Sequence, residues 1–88
     1  MRILLVEDDD MIGESVVAGL ECEGHAVDWV RDGNSALLAL NTTTFSLVIL
    51  DLGLPGKDGL QVLKEMRAKR NATPVLVTTA RDTVDDRL

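Results

Sequence analysis

The chain has 88 residues, 45% of them hydrophobic, and its 15 acidic and 9 basic side chains give a net charge of −6. This length suits one small domain, and the apolar content is sufficient for a core, which argues against wholesale disorder. The acidic balance argues against binding to nucleic acid or to anionic lipid, since both favour a basic surface.

Cysteine content and the N-terminal segment predict the compartment. Cys22 is the single cysteine and cannot form an internal disulfide, so the chain fits a reducing environment. The first apolar run, Ile3–Val6, is too short for a signal peptide or a membrane span. We therefore expect a cytoplasmic protein without membrane contact.

The first predicted strand is this same run, Ile3–Val6, whose lack of a polar face is typical of a strand buried in a parallel sheet. Four carboxylates follow it, at residues 7–10. One or two of them are explained as the N-cap and first turn of a following helix. The others crowd like charges, which is unfavourable unless a cation relieves the repulsion.

A helix and an edge strand come next. Apolar residues at intervals of four, with Ile12 first, predict a helix over 10–23 that ends at Gly24 in a left-handed conformation. Residues 25–30 predict a strand in which a charged residue, Asp28, indicates an edge position. Trp29, the single tryptophan, is predicted to pack rather than to serve as a stacking platform.

The central stretch of the chain begins with a turn and N-cap at Asp32, followed by a helix over 35–40. A buried strand over 47–50 then runs straight into Asp51 and a loop rich in Gly and Pro. A charge is unfavourable inside such a strand, so Asp51 is predicted where the strand ends and solvent begins. Ligands bind at the carboxyl ends of parallel strands; a turn or cap role for this aspartate is the alternative.

The remaining elements complete an alternating pattern. Asp58 opens a helix whose basic face is predicted to be solvated, and Pro74 precedes a strand over 75–79. Residues 80–88 predict the beginning of another helix. Strand–helix alternation with short connections indicates an α/β fold, with right-handed crossovers and helices on both faces of a parallel sheet.

Three carboxylates meet at one edge of this sheet if the first and third strands are neighbours: Glu7, Asp8 and Asp51. Such a cluster of oxygen ligands suits Mg²⁺, which uses one or two carboxylates and keeps several waters. A carboxylate beside Mg²⁺ can act as a nucleophile towards a phosphoryl group. The hydroxyl of Thr79 and the backbone amide of Ala80 could then hydrogen-bond to the phosphoryl oxygens.

Three motifs in the same order and spacing carry a family resemblance: residues 3–9, 48–59 and 74–82. The chain resembles the receiver domain of two-component response regulators, especially those of the OmpR/PhoB subfamily of transcription factors. The form Leu52-Gly53-Leu54-Pro55 is similar to the branch that contains PmrA- and QseB-like regulators.

The resemblance implies a fold and a role for each site residue. The fold is a doubly wound, flavodoxin- or CheY-like sheet with strand order 2-1-3-4. Asp51 accepts a phosphoryl group from a sensor histidine kinase, and Thr79 is the switch hydroxyl. Asp8 binds Mg²⁺ directly, Glu7 does so through water, and the carbonyl of Gly53 is a further ligand. The resemblance implies a phosphoacceptor signalling domain and not an enzyme.

The chain departs from the family pattern after its fourth strand. The fifth strand, with its Lys-Pro pair, and the last helix are expected but do not occur before Leu88. We therefore expect residues 1–88 to be the N-terminal part of a receiver, with transcription controlled through a DNA-binding domain absent from this chain. Weak stability and self-association or strand swapping through the exposed fourth-strand edge are also expected.

Three alternative functions can be compared with the motifs of the sequence. A phosphatase of the haloacid-dehalogenase kind needs a second acid two residues after its nucleophile, where this chain has Gly53. A nucleotide- or flavin-binding domain needs a Gly-rich phosphate motif, which the sequence lacks. A degenerate or truncated interaction module that no longer signals by phosphorylation is the remaining alternative.

Overall fold

Strands and helices alternate along the computed structural model, which describes residues 1–54 and 58–78. The elements are β1 (Arg2–Val6), α1 (Asp10–Cys22), β2 (Ala26–Val30), α2 (Gly33–Thr42), β3 (Leu47–Asp51), α3 (Gly59–Ala68) and β4 (Val75–Thr78). This order is the predicted one. The largest difference is α2, which extends two residues beyond the predicted 35–40 at each end. The helix predicted over 80–88 lies outside the described residues.

The strands form one parallel sheet in the order β2-β1-β3-β4. This order confirms the predicted doubly wound topology. It places β2 at an edge, as Asp28 indicated, and there Arg2 on β1 donates to the Asp28 carboxylate at 2.8 Å. The register sets Val6 opposite both Val30 and Leu50, so the three strands end at the same level.

Two helices cover one face of the sheet. Successive residues of a strand point to opposite faces, so Leu4 and Val6 lie on the side of α2 and α3. Val62 and Met66 of α3 are almost completely buried against them. Each such side chain contributes about 1.5–3 kcal/mol by its burial. The buried core residues on this side are Leu4, Val6, Ala36, Phe45, Val48, Leu50, Leu54, Val62 and Met66.

α1 covers the opposite face, and at Gly13 it lies directly against Trp29 of β2. A Cβ atom at Gly13 would lie 2.0 Å from the indole of Trp29, so the ring occupies the space that a side chain would need. Ile12, the first residue of the predicted apolar repeat, is 40% exposed, so it does not take the buried position that a single apolar face would give it. Adjacent helical residues differ by about 100° in direction, so contact through Gly13 turns Ile12 away from the sheet. Val16 and Leu20 are half-buried.

Aspartate side chains begin all three helices found in residues 1–54 and 58–78. Asp9, Asp32 and Asp58 each accept a hydrogen bond from the backbone N–H three residues later, at 2.8–2.9 Å. This N-cap bond satisfies one of the backbone donors that a helix leaves free at its start. Gly24 follows α1 with φ +92°, as predicted. None of these helices has the length and apolar character needed to cross a membrane.

Candidate functional site

The register of β1 and β3 brings three carboxylates together. Val6 lies opposite Leu50, so the next residues, Glu7 and Asp51, come side by side at the carboxyl edge of the sheet. Asp8 follows in the loop towards α1. Each of these three residues offers a carboxylate oxygen, and the three oxygens lie within 4.8 Å of one another. The predicted meeting of the three acids is therefore present.

Two of the three carboxylates are buried. Glu7 is 4% exposed and Asp51 2%, whereas Asp8 is exposed. Asp51 is the last residue of β3, as predicted, and Leu52 and Gly53 after it are exposed, but the Asp51 side chain itself is covered. The first residue of α3 packs against the backbone at this point, since a Cβ at Gly59 would lie 2.5 Å from the Asp51 carbonyl oxygen.

Backbone N–H groups hold the two buried carboxylates. Asp51 Oδ1 accepts a hydrogen bond from the N–H of Gly53 at 3.1 Å. Glu7 Oε2 accepts one from the N–H of Asp9 at 3.0 Å. Each bond ties a site carboxylate to the loop that follows its own strand, which fixes the direction in which its oxygens point.

The four consecutive acids after β1 divide into two pairs. Asp9 is the N-cap of α1, and Asp10 in the first turn forms an ion pair with Arg31. These two therefore have the helix-start roles that the sequence indicated. Glu7 and Asp8 remain for the cluster with Asp51.

The cluster is electrostatically strained without a cation. Burial raises the pKa of Glu7 above its usual value, and the neighbouring carboxylates of Asp51 and Asp8 raise it further. The N–H of Asp9 acts in the opposite direction by stabilising the ionised form. A divalent cation would remove the repulsion, and a set of hard oxygen donors with one solvent-exposed side suits Mg²⁺.

Of the other predicted site residues, Gly53 is described by the structure, whereas Thr79 and Ala80 are not. Gly53 follows β3 by two residues, and its N–H binds Asp51. β4 ends beside the cluster, because Thr78 lies opposite Asp51 and its carbonyl accepts from the N–H of Leu52 at 3.2 Å. Thr79 and Ala80 lie outside the described residues, so their predicted roles stay predictions.

Trp29 is the site-supporting residue that the sequence did not reveal. Its Nε1–H donates to the carbonyl oxygen of Glu7 at 2.8 Å. The packing role predicted for its ring is correct, but this hydrogen bond was not expected. The signal lies in the register: Trp29 is opposite Leu5, and Glu7 follows Leu5 by two residues, just past the end of β1. The contact between Trp29 and Glu7 can therefore be inferred only once β1 and β2 are known to be neighbouring strands.

Comparison with known proteins now decides the family. Residues 3–88 match the response regulator receiver domain. The chain belongs to this family. The receiver is a signalling domain, and members bind Mg²⁺ at an acidic pocket of the kind formed here.

Curated relatives place the receiver in a branch. It is 49% identical to the transcriptional regulatory protein QseB of Haemophilus influenzae and 51% identical to the response regulator protein PmrA of Pseudomonas aeruginosa. It is 43% identical to the transcriptional regulatory protein BasR of Escherichia coli. Each match covers all 88 residues but 40% of the relative. These OmpR/PhoB-type regulators confirm the predicted branch, and the chain spans about 40% of their length.

Solved structures show the same fold. The receiver domain of Francisella response regulator 1452 is similar with a TM-score of 0.87 at 29% identity, over 93% of this chain and 68% of that one. TrrA from Thermotoga maritima, determined in complex with Mg²⁺-BeF, is similar with a TM-score of 0.85 at 36% identity, over 91% and 70%. These similarities support the CheY-like fold predicted from the motifs.

Proposed function

We propose that this receiver accepts a phosphoryl group on Asp51 from a sensor histidine kinase in a Mg²⁺-dependent reaction. The observation that carries the proposal is the meeting of Glu7, Asp8 and Asp51 oxygens within 4.8 Å at the carboxyl edge of the sheet. A structural role explains such a cluster poorly, because two buried carboxylates repel each other and contribute nothing to packing.

The chain's own groups would prepare Asp51 for transfer. The N–H of Gly53 holds one carboxylate oxygen, and the Asp51 side chain is almost completely buried, which limits its contact with bulk water. A carboxylate oxygen then attacks phosphorus while the bond from phosphorus to the kinase histidine breaks and the imidazole leaves. The product is an acyl phosphate on Asp51.

The proposed Mg²⁺ ligands are Asp8 and Asp51, with Glu7 acting through water and the carbonyl of Gly53 as a further ligand. The ion would neutralise charge on the phosphoryl oxygens. Thr79 is proposed as the switch hydroxyl, and the amide of Ala80 as a donor to the phosphoryl group.

The output of the proposed switch lies beyond these residues. Phosphorylation replaces the single negative charge of the carboxylate by a phosphoryl group of about −1.5 to −2 with strong acceptor oxygens, which can bias a two-state loop and helix. Because the relatives are transcriptional regulators, we propose that residues 1–88 form the N-terminal part of a receiver whose DNA contacts belong to another domain. We place the protein in the cytoplasm.

Incubation with acetyl phosphate and Mg²⁺, followed by intact-mass analysis, tests the proposal. We expect a gain of one phosphoryl group that is lost in Asp51→Asn and when EDTA replaces Mg²⁺. Asp32→Asn is the matched control, since it removes one carboxylate at an N-cap away from the cluster and should leave the gain unchanged. No gain in a chain shown to be folded would contradict the proposal and favour the non-signalling interaction module.

Self-association is a separate proposal. β4 is at the edge of the sheet formed by the described residues, and Leu76 and Val77 on it are 54% and 44% exposed. An open strand edge offers unpaired backbone groups to a second copy. We expect light scattering to show a mass that rises with concentration, and less so in Val77→Lys. A constant monomer mass would contradict pairing.

A further inference from the structure

Trp29 joins the strand edge to the loop that carries the acids. On one side its Nε1–H donates to the carbonyl of Glu7 at 2.8 Å. On the other its ring lies against Gly13 of α1, in the space that a Cβ there would enter. Arg31 covers the ring, with its guanidinium carbon 4.2 Å from the ring centroid, and is ion-paired with Asp10 at the start of α1.

This hydrogen bond acts on Asp8 through the peptide group. The carbonyl of Glu7 and the N–H of Asp8 belong to one planar unit, so fixing the oxygen fixes the plane from which Asp8 continues. The N–H of Glu7 is already bonded to the carbonyl of Val30 at 3.0 Å. The β1–β2 ladder ends there because β2 ends at Val30, and the indole of Trp29 supplies the next donor.

The Trp29 ring also fixes the position of the other end of this loop, at Asp9, because α1 packs against it. Asp8 is followed at once by Asp9, the N-cap of α1, so the position of α1 determines where Asp8 can lie. Because Gly13 has no side chain, α1 approaches β2 until it meets the indole. The loop is thus held at Glu7 by the hydrogen bond and at Asp9 by the packing of α1.

We propose that Trp29 is a positioning residue of the Mg²⁺ site, and that Gly13 in α1 is the partner that lets it act. The indole N–H and the contact with Gly13 together hold Asp8 within reach of Asp51. Trp29 does not touch the ion; it acts through the peptide group between Glu7 and Asp8. This inference rests on the proposed Mg²⁺ binding.

Mg²⁺ titrations by calorimetry on three variants test it, each at a temperature where circular dichroism shows the chain folded. Trp29→Phe removes the donor and keeps an aromatic ring, and loss of one neutral hydrogen bond corresponds to about fivefold weaker Mg²⁺ binding. Gly13→Ala should weaken binding at least as much by displacing the indole. Gly19→Ala, the same change in the same helix with nothing within 4 Å of the new Cβ, should bind as the wild type does.

Two further measurements separate positioning from general stability. Phe45→Leu removes a buried aromatic group on the opposite face, so it should lower the melting temperature and leave the Mg²⁺ dissociation constant unchanged. The single indole gives one Nε1–H signal in a ¹H–¹⁵N spectrum. That signal should shift on Mg²⁺ addition in the wild type and in Gly19→Ala. In Gly13→Ala it should be displaced before any Mg²⁺ is added.

The outcomes are distinct. Wild-type affinity in both Trp29→Phe and Gly13→Ala overturns the positioning role and leaves the proposed function standing. A wild-type chain that takes up no Mg²⁺ overturns the proposed function and this inference with it. If Gly13→Ala does not fold, Trp29→Phe decides alone, because it adds no atom to the contact with α1.

Discussion

Replacing Glu7 by Gln should stabilise the metal-free chain and weaken its response to Mg²⁺. The amide keeps the shape of the side chain and an oxygen that can accept from the N–H of Asp9, but it carries no charge. The carboxylate oxygens of the cluster lie within 4.8 Å of one another. Two negative charges at that separation repel by about 3.5 kcal/mol at an effective dielectric constant of about 20. Glu7 avoids part of this repulsion by holding its proton more tightly, so we expect a gain of about 1–3 kcal/mol at pH 8.

The pH dependence of this gain has a definite sign. The pKa of Glu7 is raised in the folded chain above its ordinary 4.5, first by burial and then by Asp51 and Asp8. Between the unfolded and folded pKa values the folded state binds more protons, so the free energy of unfolding falls as the pH rises. The Glu7→Gln variant has no titrating carboxyl at this position, so its free energy of unfolding does not fall in this way. The two proteins should therefore differ little below pH 4.5 and diverge above it.

Thermal melts followed by circular dichroism measure the difference at acidic pH and at pH 8, with EDTA or with Mg²⁺. About 1 kcal/mol shifts the melting temperature of a domain of this size by roughly 4–8 °C. Mg²⁺ at 100 times its dissociation constant should add about 2.7 kcal/mol to the wild type and less to Glu7→Gln. Glu14→Gln removes an exposed charge of α1 and serves as the control. If Glu7→Gln in EDTA at pH 8 is no more stable than Glu14→Gln, the cluster is not strained as described.

Three further predictions concern the scaffold. Gly59→Ala should destabilise the chain by about 1–3 kcal/mol in urea melts, because its Cβ would lie 2.5 Å from a backbone oxygen; Gly19→Ala, with open space around it, should not. Met66→Ala should cost about 2–5 kcal/mol, since the side chain is 1% exposed, and a loss under 1 kcal/mol would contradict its place in the core. Hydrogen bonds from Ser35 lower the pKa of Asp32, so stability should fall as the pH drops below 3.8, and Asp32→Asn should show a shallower acid limb.

Much of the fold was predictable because local patterns and packing agree here. The aliphatic runs that end in Glu7 and Asp51 form parallel strands, and Asp28 marks an edge strand. The aspartate caps were also indicated by the sequence, by the acids before α1, the turn at Asp32 and the helix start at Asp58. These features depend on the period of the sequence and on short-range hydrogen bonding.

What the sequence did not yield depends on contacts between distant elements. The packing of Gly59 against the Asp51 backbone joins residues eight apart in the chain, and the burial of the Asp51 side chain likewise depends on the surrounding elements. The outward position of Ile12 follows from the contact between Gly13 and Trp29, which a helical repeat does not encode. The bond from Trp29 to Glu7 requires the register between two strands.

The location of the ion is tested most directly with Mn²⁺, a paramagnetic ion that shares the preference of Mg²⁺ for oxygen ligands. In a ¹H–¹⁵N spectrum, substoichiometric Mn²⁺ should first broaden the amide signals at the ends of β1 and β3, around Asp8 and Gly53. Excess Mg²⁺ should restore them. Broadening that begins elsewhere, such as at the exposed acids Glu21 and Glu23 near the end of α1, would contradict a metal site formed by Glu7, Asp8 and Asp51.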